Sequence, residues 1–408
     1  MDKLTLSDRR LNVMEIIGNS IVGGMETYVA RLLEHLPGDR FKMICVCPFE
    51  SRFTTRLREL GGEVFITRMA DDPAWESIQL LTALTRMQAI DVIHAHLANA
   101  HVLAGLVGEL TRTPVLATIH ARTMSMLDLE AHRLTGTHLS VVCQASYLQA
   151  LNLGVRSDRL HFIPNGVDSS AFTAEQRSSR LQELLGIPQD TPLIGFVGRL
   201  SPEKGPEVFV RAAWIARQSR PDLHFALIGE GPMLERLRTT VSALGQQNFI
   251  HFAGIRSDMA EVYASLDLTV VSSYSEGMPL AVMEAMASGL PVVATHAGGV
   301  ADIVEVGVTG LMRAPADHEG LAQAILILMG QPELKAKMGA AARERVLKNF
   351  PLKDGVDKMA ALLTALAQTG RTAGDRRMTA VPSVSGLAST KKAAGTQKGL
   401  PAGKNLES

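Results

Sequence analysis

Two glutamates bracket a short loop, and their spacing marks a part of the chain suited to chemistry. Glu276 and Glu284 flank the segment Gly277–Leu280. The apolar run Leu266–Ser273 before the loop predicts a buried strand, and the run after Pro279 predicts a helix. A helix start offers free backbone N–H groups and the positive end of the helix dipole, which together bind anions. The sequence therefore predicts a phosphate site with two carboxylates nearby, suited to a ligand that carries phosphate and hydroxyl groups.

Two cations follow another predicted strand of the same half. The strand Leu193–Val197 leads into the segment Gly198–Gly205, which contains Arg199 and Lys204. The guanidinium can bind a phosphate through two N–H groups, and the ammonium adds a point charge. Surface cations are mostly solvated, so either one alone is weak evidence. Their shared position at the carboxyl end of a parallel strand, where α/β sheets bind ligands, favours a phosphate-binding role.

Glycine pairs also follow several predicted strands. Gly23 and Gly24 lie between the first strand and its helix, and Gly298 and Gly299 follow a strand of the second half. Glycine lets the backbone approach a ligand closely, although a glycine at such a turn usually reflects turn geometry alone. The segment Ile163–Asp168 is a turn signature at the exit from the first half, and it predicts a corner between domains.

Three histidines fall at the ends of two neighbouring predicted strands. His94 and His96 share one face because side chains of a strand alternate, and His120 ends the next strand. Three histidines can bind zinc, but no cysteine or carboxylate occupies an obvious fourth ligand position. Core packing and hydrogen bonding to ligand hydroxyls are the alternatives, and we expect no metal.

Apolar runs alternate with helical patterns along most of the chain, which predicts an α/β protein with parallel sheets. In the first half, strands are predicted near Leu11–Ile17, Phe41–Pro48, Glu63–Arg68, Asp91–His96, Pro114–His120, His138–Cys143 and Leu160–Pro164. In the second half, they are predicted near Leu193–Val197, His224–Ile228, Phe249–Phe252, Leu268–Ser272, Pro291–Thr295 and Gly310–Arg313. Two doubly wound domains are therefore expected, each with ligands at the carboxyl ends of its strands.

The same pattern and the composition set the expected domain boundaries. Residues 1–170 are expected to form a first Rossmann-like domain and residues 187–348 a second, joined by a linker over 171–186. A helix over 349–369 is expected to cross back to the first domain. Residues 370–408 are rich in Ala, Gly, Ser, Thr and Lys, with seven basic residues against two acidic ones, and are expected to form a disordered basic tail.

The overall composition is that of an ordinary soluble globular protein, with 46% apolar and 20% charged residues. Zero net charge gives no general attraction to nucleic acid or membrane, and 4% aromatic residues further weaken a base-stacking role. The first ten residues lack an apolar signal region, and no apolar run reaches the ~18 residues that span a bilayer, so a cytoplasmic location is expected. Cys45 and Cys47 share one strand face and are predicted to be core residues.

Taken together, the motifs resemble the GT-B retaining glycosyltransferases of family 4, the glycosyltransferase group 1. Five motifs occur in the family's order within residues 11–368. They are Gly-Gly-x-Glu at 23–26, the His120 position, Pro-Asn-Gly-Val-Asp at 164–168, Gly-Arg-Leu with Glu-Lys-Gly at 198–205, and Glu-x7-Glu at 276–284 followed by Ala-Ser-Gly-Leu-Pro-Val-Val-Ala. The resemblance implies two Rossmann-like domains that face each other across a cleft and transfer a sugar from a nucleotide-diphosphate sugar.

The resemblance also implies roles for residues of the second domain. Arg199 and Lys204 look like the pair that binds the diphosphate. Glu284 looks like the carboxylate that holds the ribose hydroxyls, and Glu276 like the residue that contacts the donor sugar. The backbone expected near sugar and phosphate is that of Gly277, Met278, Pro279 and Leu280.

Further contacts are implied for the first domain. Gly24, with Gly23 beside it, looks like the loop glycine near the donor phosphate, and His120 like the active-site histidine that contacts and positions the donor sugar. Acceptor recognition belongs to this domain's loops in such a fold, with His96 and Arg122 as candidates. The implied catalytic set is His120, Glu276, Arg199 and Lys204.

The implied reaction is retaining, metal-independent transfer to an acceptor hydroxyl. The donor's nucleobase is left open between uridine and guanosine, with a UDP-sugar as the more common case. Cations and helix dipoles neutralise the leaving diphosphate, and a leaving phosphate oxygen takes the acceptor's proton in a front-face route. A double displacement needs a nucleophile on the opposite face of the sugar, and the sequence offers no clear one. The expected acceptor is a glycan or lipid-linked glycan in cell-envelope or exopolysaccharide assembly, with peripheral association at the inner face of the membrane if it is lipid-linked.

Three other functions remain open at this point. A nucleotide-sugar epimerase of the same fold would convert the donor without an acceptor. A phosphorylase is the weakest alternative because no lysine-bearing cofactor site is evident. A non-catalytic sugar-nucleotide-binding protein would bind the donor without releasing nucleoside diphosphate, since fold alone does not secure activity.

Overall fold

The computed structural model describes residues 9–173 and 177–378, in which strands and helices alternate as predicted. The strands are β1 (Leu11–Ile17), β2 (Phe41–Cys47), β3 (Glu63–Ile66), β4 (Val92–His96), β5 (Val115–Ile119), β6 (His138–Val141), β7 (Leu160–Phe162), β8 (Leu193–Val197), β9 (His224–Ile228), β10 (Ile250–Gly254), β11 (Leu268–Val271), β12 (Val292–Thr295) and β13 (Gly310–Arg313). The α-helices are α1 (Gly24–His35), α2 (Arg52–Glu59), α3 (Trp75–Met87), α4 (Ala98–Thr111), α5 (Met126–Thr135), α6 (Gln144–Asn152), α7 (Arg180–Leu185), α8 (Pro206–Ser219), α9 (Leu234–Ala243), α10 (Met259–Ala264), α11 (Leu280–Ala287), α12 (Val300–Ile303), α13 (His318–Gly330), α14 (Pro332–Asn349) and α15 (Leu352–Met378).

The first half is a seven-stranded parallel sheet in the order β3-β2-β1-β4-β5-β6-β7. Its central strands are buried throughout, as expected for a parallel sheet covered by helices on both faces. One cluster of buried apolar side chains joins the sheet to α3 and α4, and another joins it to α1 and α15. The strand order reverses between β1 and β4, so the loops after these strands diverge to opposite faces and leave a crevice for a ligand.

The second half is a six-stranded parallel sheet in the order β10-β9-β8-β11-β12-β13. Its strand order reverses between β8 and β11. Buried clusters pack α8 and α13 on one face and α11 and α14 on the other. The architecture confirms the predicted α/β class with two Rossmann-like halves.

The chain passes between the halves twice, and the two crossings lie side by side. The Val167 N–H donates to the Phe350 carbonyl (2.9 Å), and the Leu352 N–H donates to the Val167 carbonyl (3.0 Å). Gly166 allows this approach, because a Cβ at that position would lie 2.6 Å from the Leu352 Cα. The turn signature at 163–168 therefore lies at the corner between the halves, as predicted.

The linker expected over 171–186 contains a helix at its end. In α7, Leu181 is buried in the core of the second half, and the Gln182 amide donates to the Ser265 carbonyl (2.9 Å). The helix was not predicted because its apolar pattern is short and follows a polar stretch. Residues 180–185 thus pack as part of the second half.

The last helix is longer than predicted. Val356, Met359 and Leu363 of α15 pack in the same cluster as β1 side chains, so the helix lies against the first half. It continues to Met378, so the boundary at 370 was placed too early. Composition gave the earlier boundary because residues 370–378 include Gly, Thr and Asp, although the Arg, Ala and Met among them are good helix formers. The remainder of the expected tail, 379–408, lies outside the described residues.

Cys45, Cys47 and Cys143 are buried free thiols. The first two pack in an apolar cluster with Phe53 and Leu57, which confirms their predicted role as core residues. Within the ranges 9–173 and 177–378, no helix combines the length and apolar character needed to cross a bilayer.

Candidate active site

Lys204 and Glu276 form the centre of the site in the second half. The Lys204 Nζ lies 2.8 Å from Oε1 and 2.6 Å from Oε2 of Glu276, and the Ser273 hydroxyl donates to Oε1 (2.6 Å). Gly205, with φ +59°, ends the turn that carries Lys204, and a Cβ there would lie 2.3 Å from the Ser272 carbonyl oxygen. This glycine therefore lets the loop after β8 lie directly against the loop after β11.

The loop from Gly277 to Pro279 leads into the start of α11. Pro279 is the N-cap residue, and the helix begins at Leu280, so the proline lies one position earlier than a first-turn proline. Its side chain has no acceptor to cap the helix, and the first N–H groups of α11 remain for a ligand. The Met278 carbonyl accepts a hydrogen bond from the Asn165 amide (2.8 Å), which ties this loop to the inter-domain corner.

Glycines in the second half let the first half come into contact with this loop. A Cβ at Gly277 would lie 1.9 Å from the His120 carbonyl oxygen. Gly298, with φ +57°, lies against Arg122, since a Cβ there would be 2.9 Å from the Arg122 Cγ. The structure therefore brings His120 and Arg122 of the first half next to the loop that carries Glu276.

Arg199 is exposed, and its charge acts on Glu26, which lies two positions after the glycine pair of the first half. Burial raises the pKa of Glu26, which follows that pair, to about 7, and the Asn19 amide (3.1 Å) and the Arg199 charge oppose this rise. Gly23 is the N-cap of α1 and Gly24 its first residue. A Cβ at Gly24 would meet no atom within 4 Å. The space beside Gly24 and the exposed guanidinium together suit a bound phosphate.

Glu284 is held by a side chain from the other half. The Arg31 Nη2 lies 2.6 Å from its Oε1, and the Tyr263 hydroxyl donates to its Oε2 (3.1 Å). Burial raises the pKa of the Glu284 carboxyl, and the Arg31 charge opposes that rise. Any ligand that uses this carboxylate must share it with Arg31 or displace the guanidinium.

The histidines belong to a buried network that sequence reasoning only partly found. The register of β1 and β4 places Glu15 beside His94. The Glu15 Oε1 lies 3.1 Å from the His94 Nδ1, and its Oε2 lies 2.7 Å from the His96 Nε2. The outer nitrogens also have partners: the His94 Nε2 is 2.7 Å from the Thr118 Oγ1, and the His96 Nδ1 is 2.9 Å from the His120 Nε2.

This network bears on two of the earlier expectations. Glu15, His94 and His96 could converge on a metal ion, so a carboxylate partner absent from the sequence prediction does exist. Their ligand atoms are nevertheless satisfied by one another, which favours hydrogen bonding over zinc. His96 is 0% exposed and its ring nitrogens are bonded to Glu15 and His120, so contact with an acceptor would require these side chains to move, and its acceptor role stays a prediction. Arg122 is the exposed candidate for acceptor contact beside the site.

Three residues of the site, Glu15, Arg31 and Tyr263, were not identified from the sequence. Glu15 did carry a signal, because it is the single charged residue of β1, a strand that is apolar apart from it and Asn12. Arg31 and Glu284 lie 253 positions apart, and nothing local to the α1 sequence indicates that contact.

We expect acid to destabilise the protein between pH 7 and pH 5. Burial lowers the pKa of His96 from 6.5 to about 4, so the unfolded chain binds its proton first and stability is lost as pH falls below 6.5. His96 alone contributes a loss of about 2 kcal/mol at pH 5, and the lowered pKa of His120 acts in the same direction. Glu26, with its pKa raised to about 7, offsets a loss of about the size of the His96 contribution. The net direction is still a loss, because burial also lowers the pKa values of His138 and His251 to about 4.

Urea-unfolding midpoints at the two pH values measure this effect. Glu26→Gln removes the opposing contribution and should enlarge the loss. An equal or higher midpoint at pH 5 in the unsubstituted protein would contradict the expectation.

Two Rossmann-like halves whose strand ends meet at one site define the GT-B class, and solved structures share this fold. Anabaena HepE in complex with UDP-glucose superposes with a TM-score of 0.77 at 22% identity, covering 87% of this chain and 100% of that chain. Sucrose-phosphate synthase from Thermosynechococcus elongatus superposes with a TM-score of 0.70 at 21% identity, covering 88% and 100%.

Family models identify the chain more closely. The model "Glycosyl transferases group 1" matches residues 178–345, and "Glycosyltransferase Family 4" matches residues 22–171. The chain belongs to this family of GT-B glycosyltransferases, which confirms the resemblance drawn from its motifs.

Curated relatives are also glycosyltransferases. The D-inositol 3-phosphate glycosyltransferase of Corynebacterium jeikeium is 28% identical over 384 residues, covering 82% of this chain and 90% of that protein. The UDP-Gal:alpha-D-GlcNAc-diphosphoundecaprenol alpha-1,3-galactosyltransferase of Escherichia coli is 23% identical, covering 83% and 93%. Sugar transfer is therefore the activity of the family to which this chain belongs.

Proposed function

We propose that this protein is a retaining glycosyltransferase that moves a sugar from a nucleoside-diphosphate sugar, most commonly a UDP-sugar, to an acceptor hydroxyl. The observation that carries the proposal is the contact between Lys204 and Glu276 beside the open start of α11, with His120 of the other half against the same loop. UDP-glucose in the HepE complex and the UDP-galactose named for the E. coli relative support the choice of donor.

The leaving diphosphate develops negative charge as the bond to the sugar breaks. Lys204, Arg199 and the first N–H groups of α11 stabilise that charge, because fixed donors in a water-poor site need little reorganisation. Gly24 leaves room for the phosphate on the side of the first half. Contact between the halves excludes water and so suppresses hydrolysis of the donor.

The donor's sugar and ribose are held by carboxylates and His120. Glu276 accepts hydrogen bonds from sugar hydroxyls, and His120 contacts the sugar from the other half. Glu284 accepts from the ribose hydroxyls. Because Arg31 contacts Glu284 from the first half, bound ribose also comes within reach of that guanidinium and links the donor to both halves.

Retention follows a front-face route in this proposal. The leaving phosphate oxygen takes the acceptor's proton while the acceptor oxygen attacks the same face of the anomeric carbon. Glu276 has a binding role instead of a nucleophilic one, because Lys204 and Ser273 already donate to its oxygens. The product keeps the donor's anomeric configuration.

The biological setting is also a proposal. The E. coli relative is named for a diphosphoundecaprenol acceptor, which supports a glycan or lipid-linked acceptor in envelope or exopolysaccharide assembly. Such an acceptor would place the enzyme in the cytoplasm at the inner face of the membrane, in peripheral association.

Release of nucleoside diphosphate from a panel of UDP- and GDP-sugars, with and without glycan and lipid-linked acceptors, tests the activity. Release that depends on an acceptor, and a product anomer that matches the donor, would support the proposal. Conversion of the donor without an acceptor would favour the epimerase. A thermal shift with UDP but no turnover on any acceptor would favour a binding protein.

Transfer is expected to continue in excess EDTA. The positive charges of Lys204 and Arg199 and the α11 dipole take the part that a divalent cation plays elsewhere. Initial rates with and without EDTA should agree within about twofold, a difference below ~0.5 kcal/mol in the barrier. A loss that added Mg²⁺ or Mn²⁺ restores would contradict metal independence.

A further inference from the structure

We propose that Glu15, acting through His96, fixes the tautomer of His120, so that its Nε2 carries the ring proton and its Nδ1 presents a bare lone pair to a donor-sugar hydroxyl. Glu15 and His96 are then positioning residues for His120, a histidine of their own half that lies against the loop carrying Glu276 in the second half. The tautomer follows from the hydrogen-bond geometry together with the ionised state of Glu15 and the neutral state of the two rings, whereas its use on a sugar rests on the proposed function.

The assignment of donors and acceptors in the network starts from Glu15. This side chain is 0% exposed, and its two oxygens face one nitrogen each of His94 and His96. Burial alone would raise the pKa of the Glu15 carboxyl, but the two histidines lower it to about 2. An ionised carboxylate only accepts hydrogen bonds. The His94 Nδ1 and the His96 Nε2 must therefore both carry protons.

The next step passes through the His96 ring. Burial, together with the charge of His94, keeps this ring neutral by lowering its pKa to about 4. A neutral imidazole has a single N–H. Since that proton is on Nε2 facing Glu15, the Nδ1 can only accept. Its partner 2.9 Å away is the His120 Nε2, which must donate.

The last step assigns His120. Burial lowers the pKa of this ring well below its usual value, with a further contribution from His96, so the ring is neutral. Its one proton is on Nε2, and Nδ1 is an acceptor. The Tyr28 ring packs edge-on against it at 5.0 Å between centroids and restrains its orientation. His120 can then accept a hydrogen bond from an O–H group, but it cannot donate one to a phosphate oxygen.

The opposite arrangement is unfavourable. A proton on the His96 Nδ1 would leave a lone pair on Nε2 facing the ionised Glu15 oxygen at 2.7 Å. Two buried acceptors without a proton between them lose a hydrogen bond and repel each other. The charge of Glu15 thus selects the tautomer of a ring that it does not touch.

The network has a second branch, from Glu15 through His94 to Thr118, and a substitution in this branch serves as a matched control. His94 also donates to Glu15, but its Nε2 is bonded to the Thr118 hydroxyl, and that branch does not reach His120. Thr118→Val removes the hydroxyl at nearly constant size and leaves the connection from Glu15 to His96 and His120 unchanged. Glu15→Gln keeps the shape of the side chain but offers an N–H where the carboxylate only accepted. That amide can donate to the His96 Nε2 and reverse both bonds beyond it.

Two-bond ¹H–¹⁵N spectra of the full-length protein labelled with ¹⁵N-histidine read the tautomer directly, and loss of a signal in His120→Gln assigns it. We expect His120 with its proton on Nε2 in the unsubstituted protein and in Thr118→Val, and on Nδ1 in Glu15→Gln. With UDP-glucose as the donor, kcat/KM should fall about 10–100-fold in Glu15→Gln, while the affinity for UDP alone changes less than twofold.

Several results would overturn the inference. A proton on the His120 Nδ1 in the unsubstituted protein is sufficient, and it requires only that the assignment variant His120→Gln folds. An unchanged His120 signal in a folded Glu15→Gln protein, or zinc bound stoichiometrically by these residues, is equally decisive. The spectra need no donor. If the tautomers are as expected but no nucleotide sugar is turned over, the proposed function fails and the tautomer assignment stands.

Discussion

Replacing Lys204 with alanine is expected to lower kcat for sugar transfer by about 10²–10³-fold, the loss typical of removing one fixed donor to a developing negative charge. The change removes the ammonium from the site at the start of α11. It also leaves Glu276, which is 7% exposed, without its cationic partner close to where the diphosphate departs. Both effects disfavour the transition state more than they disfavour the bound donor. Release of UDP from UDP-glucose in the presence of acceptor measures the change.

Two further variants make this result specific. Lys348→Ala removes an exposed lysine of α14 and should leave turnover within about twofold of the unsubstituted enzyme, as expected for a surface charge. Lys204→Arg keeps the positive charge but changes its shape and should retain part of the activity. Full turnover by a folded Lys204→Ala enzyme would refute the electrostatic role given to this residue.

Replacing Gly277 with alanine is expected to lower kcat/KM by about 10²-fold or more, because misplacing reacting groups by about 1 Å is enough for a loss of that size. The added methyl group would lie 1.9 Å from the His120 carbonyl oxygen. The added Cβ and the His120 carbonyl oxygen are both attached directly to the backbone, so neither can rotate away. The two halves must therefore move apart to relieve the clash. The cores of the halves are not touched, and binding of UDP to the second half should be weakened far less than turnover.

Small-angle scattering separates this effect from unfolding. The radius of gyration in the presence of UDP should be larger for Gly277→Ala than for the unsubstituted protein, with similar far-UV circular dichroism. Gly38→Ala is the control, since a Cβ there would have no neighbour within 4 Å. A Gly277→Ala enzyme with normal kcat/KM would show that the contact between Gly277 and His120 is not needed for catalysis.

The elements that position the site were predictable because their signals are local. The bounds of β1, β8, β9 and β13 agree with the predicted strands at both ends, since each is a short apolar run bounded by turn residues. The corner at 163–168 was also predictable, because proline, asparagine and glycine specify a turn without help from distant residues. Lys204 could be placed near Glu276 because loops at the carboxyl ends of parallel strands share one edge of the sheet.

Features that depend on distant partners could not be predicted in this way. The contact of Arg31 with Glu284 joins the two halves, and no spacing rule reaches across them. His96 was placed correctly at the end of β4, but a strand pattern does not show that Glu15 and His120 cover its ring. The extent of α15 was underestimated since composition describes the average of a segment and not where its helical order ends.

The position of α15 has a consequence for synthesis on the ribosome. Leu11 and Val13 of the first strand pack in one cluster with side chains from Met359 to Ala367, which are translated after the second half. The amino-terminal half must therefore emerge with an apolar face uncovered while the whole second half is still being made. At about 5–20 residues per second, translation leaves that face unprotected for tens of seconds, during which chaperone binding would favour correct folding over aggregation.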